Sequence, residues 1–264
     1  MAQEVFNRLE NKYILDEAIL QRVLRSLDGM MELDAYIQDD AYTIGNLYYD
    51  TDDNHLIRAS LAKPAYKEKL RLRAYGVPGV NDRVYVEIKK KVAGWVNKRR
   101  SALLLGEAYA FLQSGELPAR QPYMNLQVLK EVQYMLMCYH LHPAVYLAYD
   151  RRAYHGARQE DLRISFDSNM RARRYALSLE AGDHGEPFLE QGKTLMEIKA
   201  AGGLPMWLCK LLSAYKIYPV NYSKYGREYT RQLRKSTQRQ EVAASASRIL
   251  QYSRQRGMQS AFAQ

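Results

Sequence analysis

Cysteine is nearly missing from this chain of 264 residues. Only Cys138 and Cys209 occur, so neither a disulfide framework nor a cysteine-built zinc site can be assembled. No run of about 18 apolar residues is present, which excludes a membrane-spanning helix. The opening MAQEVFNRLENKY has no basic flank leading into an apolar stretch, so a secretory signal is not expected and the cytosol is the expected compartment. There is no Walker-type loop, and Gly202 with Gly203 makes no nucleotide fingerprint, which excludes a P-loop kinase. Repeats, low-complexity linkers, RNA-binding consensus runs and helix-turn-helix signatures are all lacking, so no nucleic-acid partner is required.

What is abundant is positive charge: 39 Lys and Arg against 29 Asp and Glu, with a sequence pI near 9.4. Much of the excess sits at the end, where Arg231, Arg234, Lys235, Arg239, Arg248, Arg254 and Arg256 face only Glu241. The expected organisation is one domain over 1–235 and a basic polar tail over 236–264, helical or disordered. Anion binding by the nearly balanced body must therefore rest on arrangement rather than on net charge.

Periodicity predicts strands over 6–13, 43–50, 67–75, 84–92, 145–149, 162–167 and 195–200. Helices are predicted from an Asp16 N-cap through Met30, over 103–112 and 126–140, from Pro205 through Tyr215, and over 226–235. The expected class is α+β, strand-dominated, with helices inserted between strand pairs.

The informative pattern has a period of two, which sends alternate side chains to opposite faces of a strand. Arg8, Glu10 and Lys12 share one face. So do Lys67, Lys69, Arg71 and Arg73, then Glu87, Lys89 and Lys91, then Arg163, Ser165 and Asp167, and finally Glu197 and Lys199. The opposite faces are largely apolar. One such strand is an ordinary half-solvated strand. Several together repel across the sheet by about 0.2–1 kcal/mol for each opposed like pair. A polyanion held between them relieves that repulsion. A soluble barrel with a basic tunnel, padded outside by amphipathic helices, satisfies both faces.

At these residues the chain resembles the VTC-type polyphosphate polymerase domain of the triphosphate tunnel metalloenzyme superfamily, over roughly 6–230. The ordered elements are Arg8-x-Glu10-x-Lys12-Tyr13, YYDT at 48–51, YKEKLRLRAYG at 66–76, VEIKKK at 86–91 and Lys98-Arg99-Arg100. YDRRAY at 149–154, LRISFD at 162–167, MEIK at 196–199 and YSKYG at 222–226 follow. The resemblance implies a closed, eight-stranded antiparallel tunnel that binds triphosphate or polyphosphate with a divalent metal.

By motif, it implies phosphate-binding roles for Lys12, Arg71, Arg73, Lys89, Lys98, Arg151, Arg163 and Lys224, with a phosphate hydrogen bond from Ser223. Lys91, Arg100 and Lys199 are implied as further lining; Lys67 and Lys69 point inward by periodicity, within the bore or at its mouth. Glu197 is the implied metal carboxylate for Mn²⁺ or Mg²⁺, assisted by Glu10 or Glu87. CYTH-type tunnel phosphohydrolases begin with Glu-x-Glu-x-Lys, whereas Arg8 stands first here, which favours a phosphate clamp over an extra metal ligand. The implied reaction passes the ATP γ-phosphate to a growing polyphosphate chain, with Lys12, Arg71, Arg73, Lys89, Arg151, Arg163 and Glu197 as the acting residues. The nucleophile is already anionic, so no general base is needed and the five histidines are not called upon. The alternatives are a tunnel triphosphatase and a non-catalytic polyphosphate binder on the same scaffold. If synthesis delivers product across a membrane, a separate membrane protein has to supply the pore. Trp95 and Trp207 are expected to be structural, and adenine stacking on Tyr48, Tyr49 or Tyr75 is a minor alternative.

Overall fold

A computed structural model describes residues 8–35, 40–93 and 95–241; the expected tail beyond 241 lies outside the described residues, as does the side chain of Arg8. In chain order the elements are β1 (Arg8–Asp16), α1 (Glu17–Ser26), β2 (Met31–Leu33), β3 (Tyr42–Asp50) and α2 (His55–Leu61). Then come β4 (Tyr66–Tyr75), β5 (Arg83–Val92), β6 (Trp95–Leu104), α3 (Leu105–Ser114) and α4 (Leu126–Cys138). The last are β7 (His142–Gly156), β8 (Arg163–Arg173), β9 (Glu186–Pro187), β10 (Lys193–Ala201), α5 (Met206–Ala214) and a helix α6 over 224–241. The chain divides into two compact units between Ser223 and Lys224, and α6 belongs to the second.

The first unit is built on one antiparallel sheet in the order β1-β10-β8-β7-β3-β4-β5-β6, with β2 paired to β7 and β9 to β8. Its apolar face is covered in two places. Leu70, Leu72, Val86 and Ile88 pack with Phe111 of α3 and Val128, Leu129 and Val132 of α4. Tyr13, Leu15, Ile164, Met196 and Ile198 pack with Val23 of α1 and Leu208 and Leu212 of α5. Each fully buried aliphatic side chain contributes about 1.5–3 kcal/mol relative to exposure. The helical padding expected over the apolar side of the strands is therefore present.

The other face carries the charges. β1 and β5 lie far apart in the strand order, yet the Glu10 carboxyl is acted on by Lys89, and the Lys69 and Lys89 ammoniums by Lys12. The sheet therefore curls until its two ends share one space. Among the described residues the ladder stops at β1 and β6, which do not pair, so the barrel expected to be closed by strand pairing is not closed by hydrogen bonds there. At one end of the inner face Ile44, Tyr149, Met170, Leu195 and Tyr222 form an apolar plug, packed against Ile14 and Tyr42.

Local departures from the sequence reading have identifiable causes. Asp16 sits at the N-cap of α1 in an extended conformation, but its carboxylate makes no cap bond and pairs with Lys193 instead. That helix ends at Ser26, short of Met30, and the chain turns through left-handed Gly29. The helix expected over 103–112 starts only at Leu105, because 95–104 form β6. Its Glu107 accepts from the Leu104 N–H at 2.9 Å, which fixes the strand-to-helix corner. Among the described residues no helix is long and apolar enough to cross a membrane.

Candidate functional site

Strand pairing sets the site. Lys12 is opposite Glu197, and Glu10 is opposite Lys199, in the β1–β10 ladder. Arg71 faces Glu87 and Lys69 faces Lys89 across β4 and β5, while Lys89 faces Lys98 and Glu87 faces Arg100 across β5 and β6. Arg151 faces Asp167 across β7 and β8. The alternation read from the sequence thus places these side chains on one concave face.

Three ionic nodes organise them. The first is Glu87, fully buried, whose Oε2 accepts from Arg71 Nε at 2.8 Å and Nη2 at 2.5 Å. Its Oε1 lies 3.2 Å from Lys98 Nζ and 3.7 Å from Arg73 Nη1. Burial alone would raise the Glu87 carboxyl, but Arg71, Arg73 and Lys98 override it and hold the group far below the usual carboxylate range. The second is Asp167, fully buried, which accepts from Arg151 Nε at 2.6 Å and Nη2 at 2.7 Å in a two-pronged pair. The third is Glu197, 3.7 Å from Lys12, 3.6 Å from Arg151 and 3.6 Å from Lys199. Lys12 also reaches Glu10 at 3.4 Å and donates to the Tyr222 carbonyl at 3.1 Å.

Beside the Glu87 node lies a small pocket lined by Tyr48, Lys69, Arg71, Glu87 and Lys89. Here positive charge exceeds what the protein itself neutralises. Burial lowers the Lys69 ammonium to about 8, with Lys89, Lys67 and Lys12 adding repulsion that Tyr48 only partly offsets. Lys89 is lowered as well, first by burial and then by Lys12 and Arg71, with Glu10 opposing. Burial would raise the Tyr48 phenol, yet Arg71, Lys69 and Arg73 bring it down to about 8. Arg71 donates to the Tyr48 hydroxyl at 3.0 Å. A field strong enough to pull a phenol that low is one that favours an anion.

For a divalent cation, Glu10 and Glu197 are the suitable pair. They sit diagonally on neighbouring strands, each within reach of Lys12; burial and, less, the charge of Glu197 would raise the Glu10 carboxyl, but Lys89, Lys199 and Lys12 hold it below its ordinary value. Among the described residues no group of three or more His, Cys, Asp and Glu gathers. Two carboxylates suit a hard ion that takes its remaining ligands from phosphate and water. Glu87 is instead gripped by Arg71 at 2.5 and 2.8 Å, whereas the cations around Glu197 stand off at 3.6–3.7 Å.

Other expected site residues fall as follows. Arg73 donates to Asn46 Oδ1 at 2.9 Å and to the Tyr149 hydroxyl at 3.5 Å, deep in the fold. Lys91 is half-buried opposite Lys67, which donates to the Ser60 carbonyl at 3.2 Å near the mouth. Lys69 lines the pocket and donates to Ser223 Oγ at 3.1 Å. Arg100 is exposed and stacks 4.8 Å from the Tyr85 ring. Arg163 stands apart from the nodes: its side chain is 59% exposed and its nearest carboxylate is Asp34 at 3.9 Å. Lys224 begins the second unit. Sequence reasoning named Tyr48 only for adenine stacking and Asp167 only as a member of a charged strand face, and gave neither a part in holding the arginines. The signal for Asp167 was its place in the Arg163-Ser165-Asp167 alternation, and for Tyr48 its shared face with Ile44 and Asn46.

The VTC domain model matches residues 7–232. The chain belongs to the VTC domain family. The matched stretch takes in all ten strands of the VTC domain described above. Subunit 4 of the vacuolar transporter chaperone complex of Schizosaccharomyces pombe is 29% identical over 153 residues, which cover 51% of this chain and 21% of that protein. The match thus spans about a fifth of that relative's length. Solved structures similar to this VTC domain include a candidate adenylate cyclase of Bacillus halodurans, at 16% identity and a TM-score of 0.49, covering 84% of this chain and 96% of the other. A candidate adenylyl cyclase of Hippeastrum, with a dominant triphosphatase activity, has 13% identity and a TM-score of 0.47, covering 83% and 93%.

Proposed function

We propose that this VTC domain, taken as 1–235, is a cytoplasmic, metal-dependent polyphosphate polymerase. A terminal phosphate oxygen of the growing chain attacks the γ-phosphorus of ATP, the bond from that phosphorus to the β–γ bridging oxygen breaks, and ADP leaves. The observation that carries this reading is the convergence of Lys12, Lys69 and Lys89 from three strands into one space, where they repel one another. Such a site gains stability when a multiply charged anion enters it. Arg71 and Arg151 arrive already oriented by Glu87 and Asp167, so their forks are set before substrate binds.

Phosphoryl transfer requires positioning and charge neutralisation more than covalent help from the protein. Lys12, Arg71, Arg73, Lys89, Lys98, Arg151 and Lys199 are the residues proposed to line successive phosphates, with Lys91, Arg100 and Arg163 nearer solvent. Ser223 is proposed to reach phosphate alongside Lys69, and Lys224 is assigned by motif alone. Glu197 with Glu10 would hold Mn²⁺ or Mg²⁺, which when bound supplies further neutralisation of phosphate oxygens.

The test is incubation of the purified chain with ATP and Mn²⁺, with products resolved on a gel. A ladder of long polyphosphate supports the proposal. Orthophosphate alone would reassign the site to a triphosphatase, and tight tripolyphosphate binding with neither product would make it a binding module.

A further inference from the structure

Three tyrosines converge where β3 begins and β4 ends, past the charged residues of the inner face. The Tyr75 ring lies 5.9 Å from Tyr42, tilted at 51°, and 5.9 Å from Tyr85, edge to face at 83°. The Arg100 guanidinium stands 4.8 Å over the Tyr85 ring. Alternation places Tyr75 on the side of Arg71 and Arg73 along β4, and Tyr85 on the side of Glu87 along β5.

This cluster is open to solvent. Tyr75 is 49% exposed, Tyr42 and Tyr85 are half-buried, and Arg100 is exposed. The other two tyrosines considered for stacking are engaged differently. Tyr49 is buried in the apolar cluster on the opposite face, and Arg71 holds the Tyr48 hydroxyl. Tyr75 is thus the ring with a surface to offer.

Its place along the strand suits one kind of ligand. At about 3.4 Å per residue, Tyr75 stands about 7 Å beyond Arg73 and about 14 Å beyond Arg71. A ribose carrying a triphosphate covers such a span. Inorganic polyphosphate has no flat apolar part to lay against tyrosine. A nucleoside triphosphate has one, at the end away from its γ-phosphate, and bases stack on tyrosine through a π-face. The neighbouring Arg100 adds a cation that favours the same electron-rich ring.

We infer that Tyr75, flanked by Tyr85 and Arg100, stacks on the base of a nucleoside triphosphate whose phosphates lie against the cationic residues, an assignment that rests on ATP being the substrate proposed above. It gives the site a direction. With the base at Tyr75, the γ-phosphate points toward Lys69 and Lys89, and the acceptor chain comes in from the opposite end, past the facing pair Lys67 and Lys91.

The test is titration of the full chain, without added metal so that nothing turns over, with ATP, tripolyphosphate and the fluorescent analogue etheno-ATP. The parent should quench etheno-ATP emission on binding, as stacking does. Tyr75→Ala should bind ATP about tenfold more weakly and lose the quench, while its affinity for tripolyphosphate stays that of the parent. Tyr75→Phe, which keeps the ring, should behave as the parent. Equal ATP affinity in the parent and Tyr75→Ala would overturn the base site. Loss of ATP and tripolyphosphate together in Tyr75→Ala would make the ring a packing element and overturn it as well. Loss of ATP binding in Tyr75→Phe would assign the contact to the hydroxyl rather than to stacking. If the expected binding results hold but no polyphosphate forms from ATP and Mn²⁺, the polymerase proposal falls and the base site stands.

Discussion

Replacing Glu87 with glutamine keeps the shape of the side chain and removes one buried negative charge. The structure assigns that charge to three partners: Arg71 at 2.5–2.8 Å, Lys98 at 3.2 Å and Arg73 at 3.7 Å. Removing one member of a buried ion pair leaves the others uncompensated and typically costs about 3–5 kcal/mol. For a unit of this size, each kcal/mol moves the melting temperature by about 2–4 °C, so a fall of roughly 6–20 °C is expected. An anion in the adjoining pocket should give back much of that loss, because it supplies the missing charge. Tripolyphosphate at a hundred times its dissociation constant stabilises any binder by about 2.7 kcal/mol. The variant should bind it more tightly than the parent, and its melting temperature should rise further on titration. Scanning calorimetry with and without tripolyphosphate, paired with titration calorimetry, reads both effects. If the variant melts with the parent, or if tripolyphosphate stabilises the two equally, Glu87 is not the internal counter-ion described here.

Glu197→Gln should abolish turnover while tripolyphosphate binding persists, since the clamp is cationic; full activity in that variant would discredit the metal assignment. Raising the pH from 7 to 9 should weaken tripolyphosphate binding, as Lys69 loses its positive charge and Tyr48 gains a negative one, both near 8. Both groups sit below their unfolded values, so the unfolded chain holds more protons between about pH 8 and 10. The contribution of this cluster to ligand-free stability should therefore rise across that window, and Lys69→Met should flatten both profiles. Asp167→Asn should lower the melting temperature and weaken substrate binding by freeing Arg151 from its two-pronged hold; an unchanged Michaelis constant would argue that Arg151 does not touch substrate. Deleting 236–264 should leave turnover largely intact, as measured by ADP release.

Much of the charged face was legible because a strand has only two sides. Lys12, Arg71, Lys89 and Glu197 could be assigned to one side by counting alone, and their apolar neighbours to the other. β6 was not legible, since its first six residues, WVNKRR, are an exposed edge with no apolar alternation to mark a strand. α2 was hidden for another reason. Its start is fixed not by an N-cap side chain but by the carboxylate of Asp50 at the end of β3, which accepts from the Leu56 and Ile57 N–H groups at 2.8 and 3.0 Å. No sequence pattern separates the carboxylates by task either: Glu87 and Glu197 both sit two residues before a lysine on a strand, and only the close grip of Arg71 on the adjoining strand makes Glu87 the counter-ion.

The gap in the ladder between β1 and β6 bears on how a long substrate would come and go. Where a wall is stitched all round, a linear polymer has to be threaded lengthwise, and every added unit drags the whole strand along. Among the described residues no strand-to-strand bond crosses that side. What spans it is the attraction of Glu10 for Lys89 and the segment ahead of α6, whose Val220 N–H donates to the Lys12 carbonyl at 2.7 Å and whose Ser223 Oγ accepts from Lys69 at 3.1 Å. A polymer lying in such a cradle would leave broadside only where that short segment gives way.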